Sequence, residues 1–230
     1  MDALKRLERW APASGIVFVG LMVVAFVLIG EPAGYDDSGS SIATWLADNR
    51  RDLLLATILH GGALLMFLWY LGSLGTRLRE AGEARLGAVA FGAGLVIAGM
   101  AAVTITIVGG LAYGIEQNTD GATIKTLYDL QLAAGPLFAW PLVALAGATA
   151  LASLRTGIFP QWYGLASAAG TVWFVVAGFS WAREGFFEVD GAAGWVAWIV
   201  FLVWTLLTSV VLLQQAPARE EAPRAAMVSM

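Results

Sequence analysis

His60 is the only histidine in the chain, and it lies inside a long apolar run over residues 53–75. At 1.5 Å per residue along a helix, it stands about 10 Å from the start of that run. An ionisable side chain is costly to bury in such a run, so His60 is a functional candidate. Because imidazole titrates near neutral pH, it could accept a proton or orient a ligand.

Polar residues that could face His60 lie in two other apolar runs. Asp129 and Gln131 stand where the run over residues 130–153 begins, and Thr104 and Thr106 lie in the run over 86–113. A neutral imidazole bonded to one of them would be a structural clasp between helices. An imidazole beside a carboxylate would instead be a proton-accepting or ligand-orienting group. The sequence leaves both interpretations open.

The run over residues 130–153 also contains two prolines, Pro136 and Pro141. Each removes a backbone donor and pushes against the preceding turn, so the sequence predicts a kinked or locally opened helix there. In transporters such breaks expose carbonyl groups to a substrate or ion. In other membrane helices, neighbouring groups satisfy the freed carbonyls instead.

Two tryptophans, Trp140 and Trp173, lie deep within their apolar runs. They could line an aromatic pocket for an apolar or porphyrin-like ligand, and the alternative is ordinary core packing. Together with His60, Asp129 and Gln131, they form the candidate intramembrane polar or ligand site.

Several kinds of chemistry are disfavoured by what the chain lacks. Without cysteine it has no disulfide, thiolate nucleophile, iron–sulfur cluster or cysteine zinc site, and one histidine cannot supply a multi-histidine metal or haem site. Neither a Ser–His pair with an oxyanion site nor two buried carboxylates stands out. The sequence therefore predicts no metal, no cofactor and no enzymatic activity.

Six apolar runs must position these residues, at 13–30, 53–75, 86–113, 130–153, 162–181 and 191–213. Each is long enough to cross the hydrocarbon core of a bilayer, which is about 30 Å thick. The composition, 59% hydrophobic and 13% charged, lies beyond that of ordinary soluble domains. The sequence predicts an all-α bundle of six transmembrane helices in one domain over residues 1–214, followed by a flexible cytoplasmic tail over 215–230.

Basic residues predict the orientation of this bundle. With the N-terminus inside, nine basic residues fall on the inner side and four on the outer side. Basic loops stay in the cytoplasm, so both termini are expected there. Acidic residues run the other way, with six inside and eleven outside. The acidic outer face could concentrate cations or steer a basic partner, or it could simply keep the external loops soluble. Eleven arginines against two lysines suggest a GC-rich bacterium and therefore its plasma membrane.

A short amphipathic helix is predicted between the first two runs. Ile42, Trp45 and Leu46 fall at i, i+3 and i+4 after a pair of serines suited to capping. Such a helix would lie on the outer interface, with Trp45 at headgroup depth. A lid over an external cavity is the functional alternative.

Small residues mark the run over 86–113, notably Ala88 and Gly92 at i and i+4. In lipid such residues let helix backbones approach closely, so this helix is expected at the centre of the bundle. The same pair could alternatively form a contact between two copies of the chain.

Several short segments resemble a family of uncharacterised multi-helix membrane proteins of GC-rich bacteria. The similar segments are Ala47-Asp48-Asn49-Arg50-Arg51, Leu68-Trp69-Tyr70-Leu71-Gly72-Ser73-Leu74, Ala90-Phe91-Gly92-Ala93-Gly94, Leu127-Tyr128-Asp129-Leu130 and Gly157-Ile158-Phe159-Pro160-Gln161-Trp162-Tyr163-Gly164. They span residues 47–164. The resemblance implies the membrane architecture and implies no particular activity.

Three classes of function remain. The first is a non-enzymatic membrane component, meaning an accessory subunit, a sensor or a binder of a lipophilic ligand. The second is a small proton-linked transporter that uses His60 and the proline-broken helix, although no inverted repeat is detected between residues 1–115 and 116–230. An intramembrane enzyme is the third and is disfavoured. The expected partners are the lipid bilayer and either a hydrophobic small molecule or a partner membrane subunit, with no nucleic acid.

Overall fold

A computed structural model describes residues 11–114 and 120–215, and over these ranges the chain forms seven α-helices and no named strand. The all-α prediction is confirmed. The helices are α1 (Ser14–Ile29, preceded by a 3₁₀ turn at Ala11–Ala13), α2 (Gly39–Asp48), α3 (Arg50–Glu80), α4 (Ala84–Tyr113), α5 (Gly121–Thr156), α6 (Gln161–Ala177) and α7 (Ala192–Gln214). Apart from Gln215, the predicted flexible tail lies outside the described residues. Lys5, Arg6 and Arg9, which count among the basic residues of the predicted inner side, also lie outside them.

Five helices are long and apolar enough to cross a membrane, namely α1 with its leading turn, α3, α4, α5 and α7. The fifth predicted run, 162–181, is helical only as far as Ala177. With 17 residues, α6 is about 25 Å long, close to the lower limit for a spanning helix. Gly178 follows the last helical residue, and a β-carbon at Gly178 would lie only 3.0 Å from the Trp140 ring. The chain then leaves the helix through a compact segment, residues 178–191.

Six of the helices form a closed ring in the order α1, α3, α4, α5, α6, α7 and back to α1. Each helix packs against its two neighbours in this ring, and the main hydrophobic core fills the ring interior. Its largest buried side chains include Phe67, Tyr70, Tyr163 and Phe174. Apolar side chains also cover the outside of the ring; Val27 and Ile58, for example, are each 71% exposed. An apolar exterior of this kind suits a lipid environment.

Glycines bring α3 and α4 into close contact, but not the pair singled out by the small-residue pattern. A β-carbon on Gly87 would lie 3.0 Å from the carbonyl oxygen of Gly75, and one on Gly94 would overlap Leu71. A β-carbon on Gly92 would meet nothing within 4 Å, and Ala88 is exposed. The prediction that Gly92 is a tight packing position is therefore wrong, because it lies on the outward side of α4.

A kinked or locally opened helix is predicted at Pro136 and Pro141, and the structure has one continuous helix of 36 residues there, without an opening. Each proline still lacks a backbone N–H. By helix geometry, the missing donors are those that would bond the carbonyls of Leu132 and Leu137.

The short helix predicted between the first two runs is α2. Ser38 caps it by accepting a hydrogen bond from the backbone N–H of Ser41 at 3.2 Å. Ile42 and Leu46 are fully buried in a second hydrophobic cluster over the ends of α3, α4 and α5, together with Leu53, Leu111, Ala112, Ile124 and Tyr128. The amphipathic pattern is thus explained by packing onto this cluster.

The two ends of the ring carry different charges. Over the described residues, one end carries ten acidic and four basic side chains, and we call it the acidic end. The other, the basic end, carries four arginines and two glutamates; Arg155 pairs there with Glu83 at 3.8 Å. At the acidic end, Arg50 donates to the Tyr113 carbonyl at 2.9 Å. Charge is therefore confined to the two ends, as in a protein that crosses a bilayer.

Candidate functional site

A cavity of about 410 Å³ lies inside the ring, in the half nearer the acidic end. All six ring helices contribute to its lining, as does the segment over residues 178–191. Most of the wall is aliphatic or aromatic, including Met22, Phe26, Ile29, Leu64, Ile97, Ile105, Leu132, Phe138, Leu142, Trp195 and Trp198. Its size and apolar character match those of small-molecule sites, which measure roughly 300–1,000 Å³.

Three phenylalanines form the floor of the cavity. The ring centroids of Phe18 and Phe67 are 4.9 Å apart, and Phe201 lies 5.9 Å from Phe18 and 5.8 Å from Phe67. On α1, α3 and α7, these phenylalanines are the cavity-lining residues farthest from the acidic end. This aromatic floor closes the cavity toward the basic end.

His60 and Gln131 both line the cavity, from α3 and α5. The Nδ1 atom of His60 lies 2.7 Å from the carbonyl oxygen of Ala56, one turn earlier in the same helix. Since a carbonyl only accepts, Nδ1 carries the proton and Nε2 is left as an acceptor. Thr104 also lines the cavity, and its hydroxyl donates to the Ala101 carbonyl at 3.0 Å. Within the described chain, no hydrogen bond joins His60 to Gln131 or Thr104.

Asp129, the predicted acidic partner of His60, lies outside the cavity. Its carboxylate accepts from the Lys125 ammonium group at 3.1 Å. The same ammonium donates to the Tyr35 carbonyl at 2.6 Å and stands over the Tyr35 ring. This network ties α5 to the loop between α1 and α2. Asp129 thus lies at the surface of the acidic end, and the structure does not bring it to His60.

Trp140 and Trp173 lie outside the cavity as well. Trp140 is 45% exposed on the outside of the ring and packs edge-on against Phe179 at 5.9 Å. Trp173 packs against Phe186 at 6.3 Å, and its buried indole N–H has no hydrogen-bond partner among residues 11–114 and 120–215. Of the predicted site residues, only His60, Gln131 and Pro136 line the cavity.

Three other aromatic residues, Phe26, Trp195 and Trp198, line the cavity where Trp140 and Trp173 do not. Phe26 lies 5.3 Å from Trp195 and 5.1 Å from Trp198, and the two indole rings are 6.3 Å apart. We call these residues the aromatic wall. Their signal in the sequence is the spacing of Trp195, Trp198 and Phe201 at i, i+3 and i+6, which places them along one side of a helix.

The segment over residues 178–191 borders the cavity on the side of the acidic end, and we call this segment the mouth. Its backbone folds into a tight turn in which Ala182 N–H donates to the Phe187 carbonyl at 2.9 Å and Gly185 has a φ of +87°. From this segment Ser180, Val189, Asp190 and Gly191 line the cavity. The sequence predicts residues 178–181 as the end of the span over 162–181 and residues 182–190 as an outer loop, and it does not predict these contributions.

Two of the mouth residues carry polar side chains. The Ser180 hydroxyl is buried and has no hydrogen-bond partner among the described residues. Asp190 is partly buried, and its Oδ2 accepts from the backbone N–H of Tyr35 at 3.0 Å. This bond fastens the mouth to the loop between α1 and α2. The helix α2 itself does not line the cavity, so its predicted alternative role as a lid is not seen.

A cluster of buried hydroxyl groups lies beyond the aromatic floor, toward the basic end. Tyr163 and Thr208 share a hydrogen bond of 2.7 Å, and the Trp204 indole donates to Ser167 at 2.9 Å. The hydroxyls of Tyr70, Thr205 and Ser209 are fully buried and have no partner in the described structure. Unsatisfied groups of this kind are commonly met by internal water.

A second depression, of about 530 Å³, lies on the outside of the ring where α2 meets α3. Ala47, Asp48, Arg50, Arg51, Leu54, Leu55 and Ile58 line it. It is wider open than the central cavity, and Arg50 is already engaged by Tyr113. The central cavity is therefore the better candidate site.

Metal and electrostatic features add little at this site. Residues 11–114 and 120–215 contain no group of three His, Asp or Glu side chains that could hold a metal ion. Asp120 precedes α5 and caps it. The hydrogen bond that its carboxylate accepts from the backbone N–H of Thr123 is the main cause of its lowered pKa.

Comparison with known proteins gives no match to this chain among family models, curated proteins or solved structures.

Proposed function

We propose that this chain is a non-enzymatic integral membrane protein that binds a lipophilic small molecule in its central cavity. The observation that carries the proposal is the lining of that cavity: mainly apolar side chains from all six ring helices, with a few polar groups. Ligand sites combine these features, since apolar walls supply affinity and sparse polar groups fix orientation. Such binding would suit an accessory or sensor component that acts with a partner membrane subunit.

The proposed setting is a bacterial plasma membrane crossed six times, with both termini in the cytoplasm. In this arrangement α6 is the fifth of the six spans along the chain, and its place in the ring between α5 and α7 supports that role. The acidic end then faces outward and the basic end faces inward, in agreement with the positive-inside rule. The cavity would open toward the outer side, and α2 would lie at the outer interface.

The geometry around His60 supports a binding rather than a catalytic role. A Ser–His nucleophile requires a hydrogen bond between the two side chains, and the Ser180 hydroxyl has no partner in the described structure. The acidic residue that could orient an imidazole, Asp129, is paired with Lys125 at the surface. We therefore assign the polar groups of the cavity to ligand orientation.

Native mass spectrometry of the purified protein tests this proposal. We expect wild-type protein to retain a lipophilic adduct, and Ala101→Phe, which fills the cavity from α4, to lose it. Ala88→Phe is the matched control because Ala88 lies on the exposed side of the same helix. Equal adducts in both variants, or none in the wild type, would overturn the proposal.

A small proton-linked transporter is the second candidate, and one observation favours it. Polar groups lie on both sides of the aromatic floor: His60 and Gln131 above it, and Tyr70 and Ser209 below it. Two polar compartments separated by a movable apolar layer are what alternating access needs. Proton uptake into proteoliposomes that rises in Phe67→Ala and stays at the wild-type level in the surface control Trp140→Ala would favour transport over simple binding.

A further inference from the structure

The aromatic wall and one carboxylate lie on the same cavity near its mouth. Phe26 lines it from α1, and Trp195 and Trp198 line it from α7. Asp190 also lines it and lies two residues before α7 begins. The backbone N–H of Trp195 bonds the carbonyl of Gly191, the residue that follows Asp190. The carboxylate and the indole rings are thus carried by one short, ordered stretch of chain.

Asp190 has spare capacity to bind a cation. Its one hydrogen bond in the described structure is accepted by Oδ2 from Tyr35, which leaves Oδ1 available. No described Lys or Arg forms an ion pair with it; the described ion pairs are Arg77–Glu80, Lys125–Asp129 and Arg155–Glu83. A carboxylate that is partly withdrawn from water and lacks a counter-charge attracts a cationic ligand more strongly than a fully exposed one does.

The other polar groups of the cavity also favour a ligand that donates hydrogen bonds. Ser180 as a residue is only 1% exposed, and its hydroxyl has no partner in the described part of the chain. His60 presents Nε2 as an acceptor, since its Nδ1 proton is engaged by Ala56. Pro136 leaves the carbonyl of Leu132, another lining residue, without its helical donor. Acceptors therefore outnumber dedicated donors around the mouth.

We propose that the ligand of this cavity is an amphiphilic ammonium compound, with its cationic head between Asp190 and the aromatic wall and its apolar body directed toward the aromatic floor. This inference rests on the proposed binding function and specifies its ligand class. Indole and phenyl faces attract ammonium groups within about 6 Å of the ring centroid, and a carboxylate supplies the counter-charge. From Gly191 to Phe201 along α7 the cavity extends about 15 Å, at 1.5 Å per residue, which suits a medium-length alkyl chain.

The test compares three ligands that share one alkyl chain. Wild-type protein in nanodiscs of neutral lipid is titrated with dodecylammonium, dodecanol and dodecanoate, and binding is followed by the thermal unfolding midpoint and by tryptophan fluorescence. We expect the ammonium compound to bind roughly tenfold more tightly than the alcohol, and the carboxylate most weakly.

Asp190→Asn should remove the advantage of the ammonium compound while keeping binding of the alcohol. Glu188→Gln is the matched control, since Glu188 lies in the same segment but does not line the cavity. If Asp190→Asn fails to fold, Trp198→Leu provides the same comparison, with the exposed Trp162→Leu as its control. An ammonium advantage that survives in both Asp190→Asn and Trp198→Leu contradicts the inference.

Failure of the inference can be told apart from failure of the proposed function. Equal binding of the ammonium compound and the alcohol, with both abolished by Ala101→Phe, would overturn the ammonium class and leave a lipophilic cavity. Binding of no ligand, or binding unchanged in Ala101→Phe, would overturn the binding function together with the inference.

Discussion

Gly94 of α4 lies against Leu71 of α3 so closely that a β-carbon on the glycine would overlap the leucine side chain. Gly92, two residues earlier, would place its β-carbon in open space. This contrast defines which side of α4 holds the ring together and which side faces outward. It also provides a matched pair of substitutions within one helix.

Gly94→Leu should destabilise the protein, whereas Gly92→Leu should leave its stability nearly unchanged. Overpacking a tight contact costs typically 1–3 kcal/mol of the free energy of unfolding, and about that loss is expected at Gly94. The thermal unfolding midpoints of the two variants in the same detergent provide the measurement. Equal loss in both variants would show that Gly92 also contacts a neighbouring helix or a second copy of the chain.

The contrast between Gly92 and Gly94 illustrates what the sequence could not predict. The apolar runs and the helix class followed directly from hydropathy, and the spacing of Ile42 and Leu46 gave α2. In α4, however, apolar residues surround the helix on all sides because lipid and protein core are equally apolar. Periodicity therefore cannot tell the side of α4 that packs from the side that faces outward. For the same reason the small-residue pattern does not distinguish Gly92 from Gly94.

The candidate site was predicted only in part for a related reason. His60 and Gln131 were identified because polar groups are rare in apolar runs, and both line the cavity. Asp190 and Ser180 reach the cavity through the fold of residues 178–191, which depends on the positive φ of Gly185 and on contacts distant in sequence. The sequence predicts Asp129 as a partner of His60, because its position along α5 does not reveal its bond to Lys125.

Tyr128→Phe should weaken the contact between α5 and the loop after α1. The Tyr128 hydroxyl is buried and donates to the Ala33 carbonyl at 3.0 Å. Its removal leaves that carbonyl without its partner, which costs about 1–3 kcal/mol of unfolding free energy. Tyr113→Phe is the control, since Tyr113 is exposed and its hydroxyl makes no described bond. Matching unfolding curves for Tyr128→Phe and wild type would argue against the bond.

Cysteine labelling tests the proposed orientation without background, because the chain has no native cysteine. Glu184→Cys in the acidic-end segment should react with a membrane-impermeant maleimide in intact cells, and Ala84→Cys at the basic end should react only after permeabilisation. Both positions are exposed, so a difference in labelling reports the side of the membrane. Labelling of Ala84→Cys in intact cells would reverse the orientation.

The capping carboxylate Asp120 predicts an acid-sensitive contribution to stability. It accepts from the backbone N–H groups of Thr123 and Ala122 at 3.0 Å each, and these bonds lower its pKa from 3.8. Because the folded pKa is the lower one, the contribution is complete above pH 3.8 and is lost as the pH falls through the folded pKa. Asp120→Asn should therefore flatten the fall of the unfolding midpoint in this acid range, while Glu184→Gln should retain the full fall.

His60 should affect binding far more than stability. The Ala56 carbonyl that accepts from its Nδ1 also accepts the backbone N–H of residue 60, by the ordinary helical pattern. His60→Leu therefore leaves no orphaned acceptor there, and its unfolding free energy should change by less than about 1 kcal/mol. A loss as large as that of Tyr128→Phe would instead favour the structural clasp.

Binding of a cationic ligand should depend on pH through the same side chain. A protonated imidazole in the cavity would repel an ammonium head, so wild-type affinity for dodecylammonium should fall as the pH decreases from about 8 to 5. In His60→Leu this dependence should disappear, while affinity for dodecanol should be independent of pH in both proteins. Since Asp190 lines the same cavity, Asp190→Asn should lower the affinity across the range yet keep the histidine-linked slope. A slope that persists in His60→Leu would show that another group in the cavity controls the ligand.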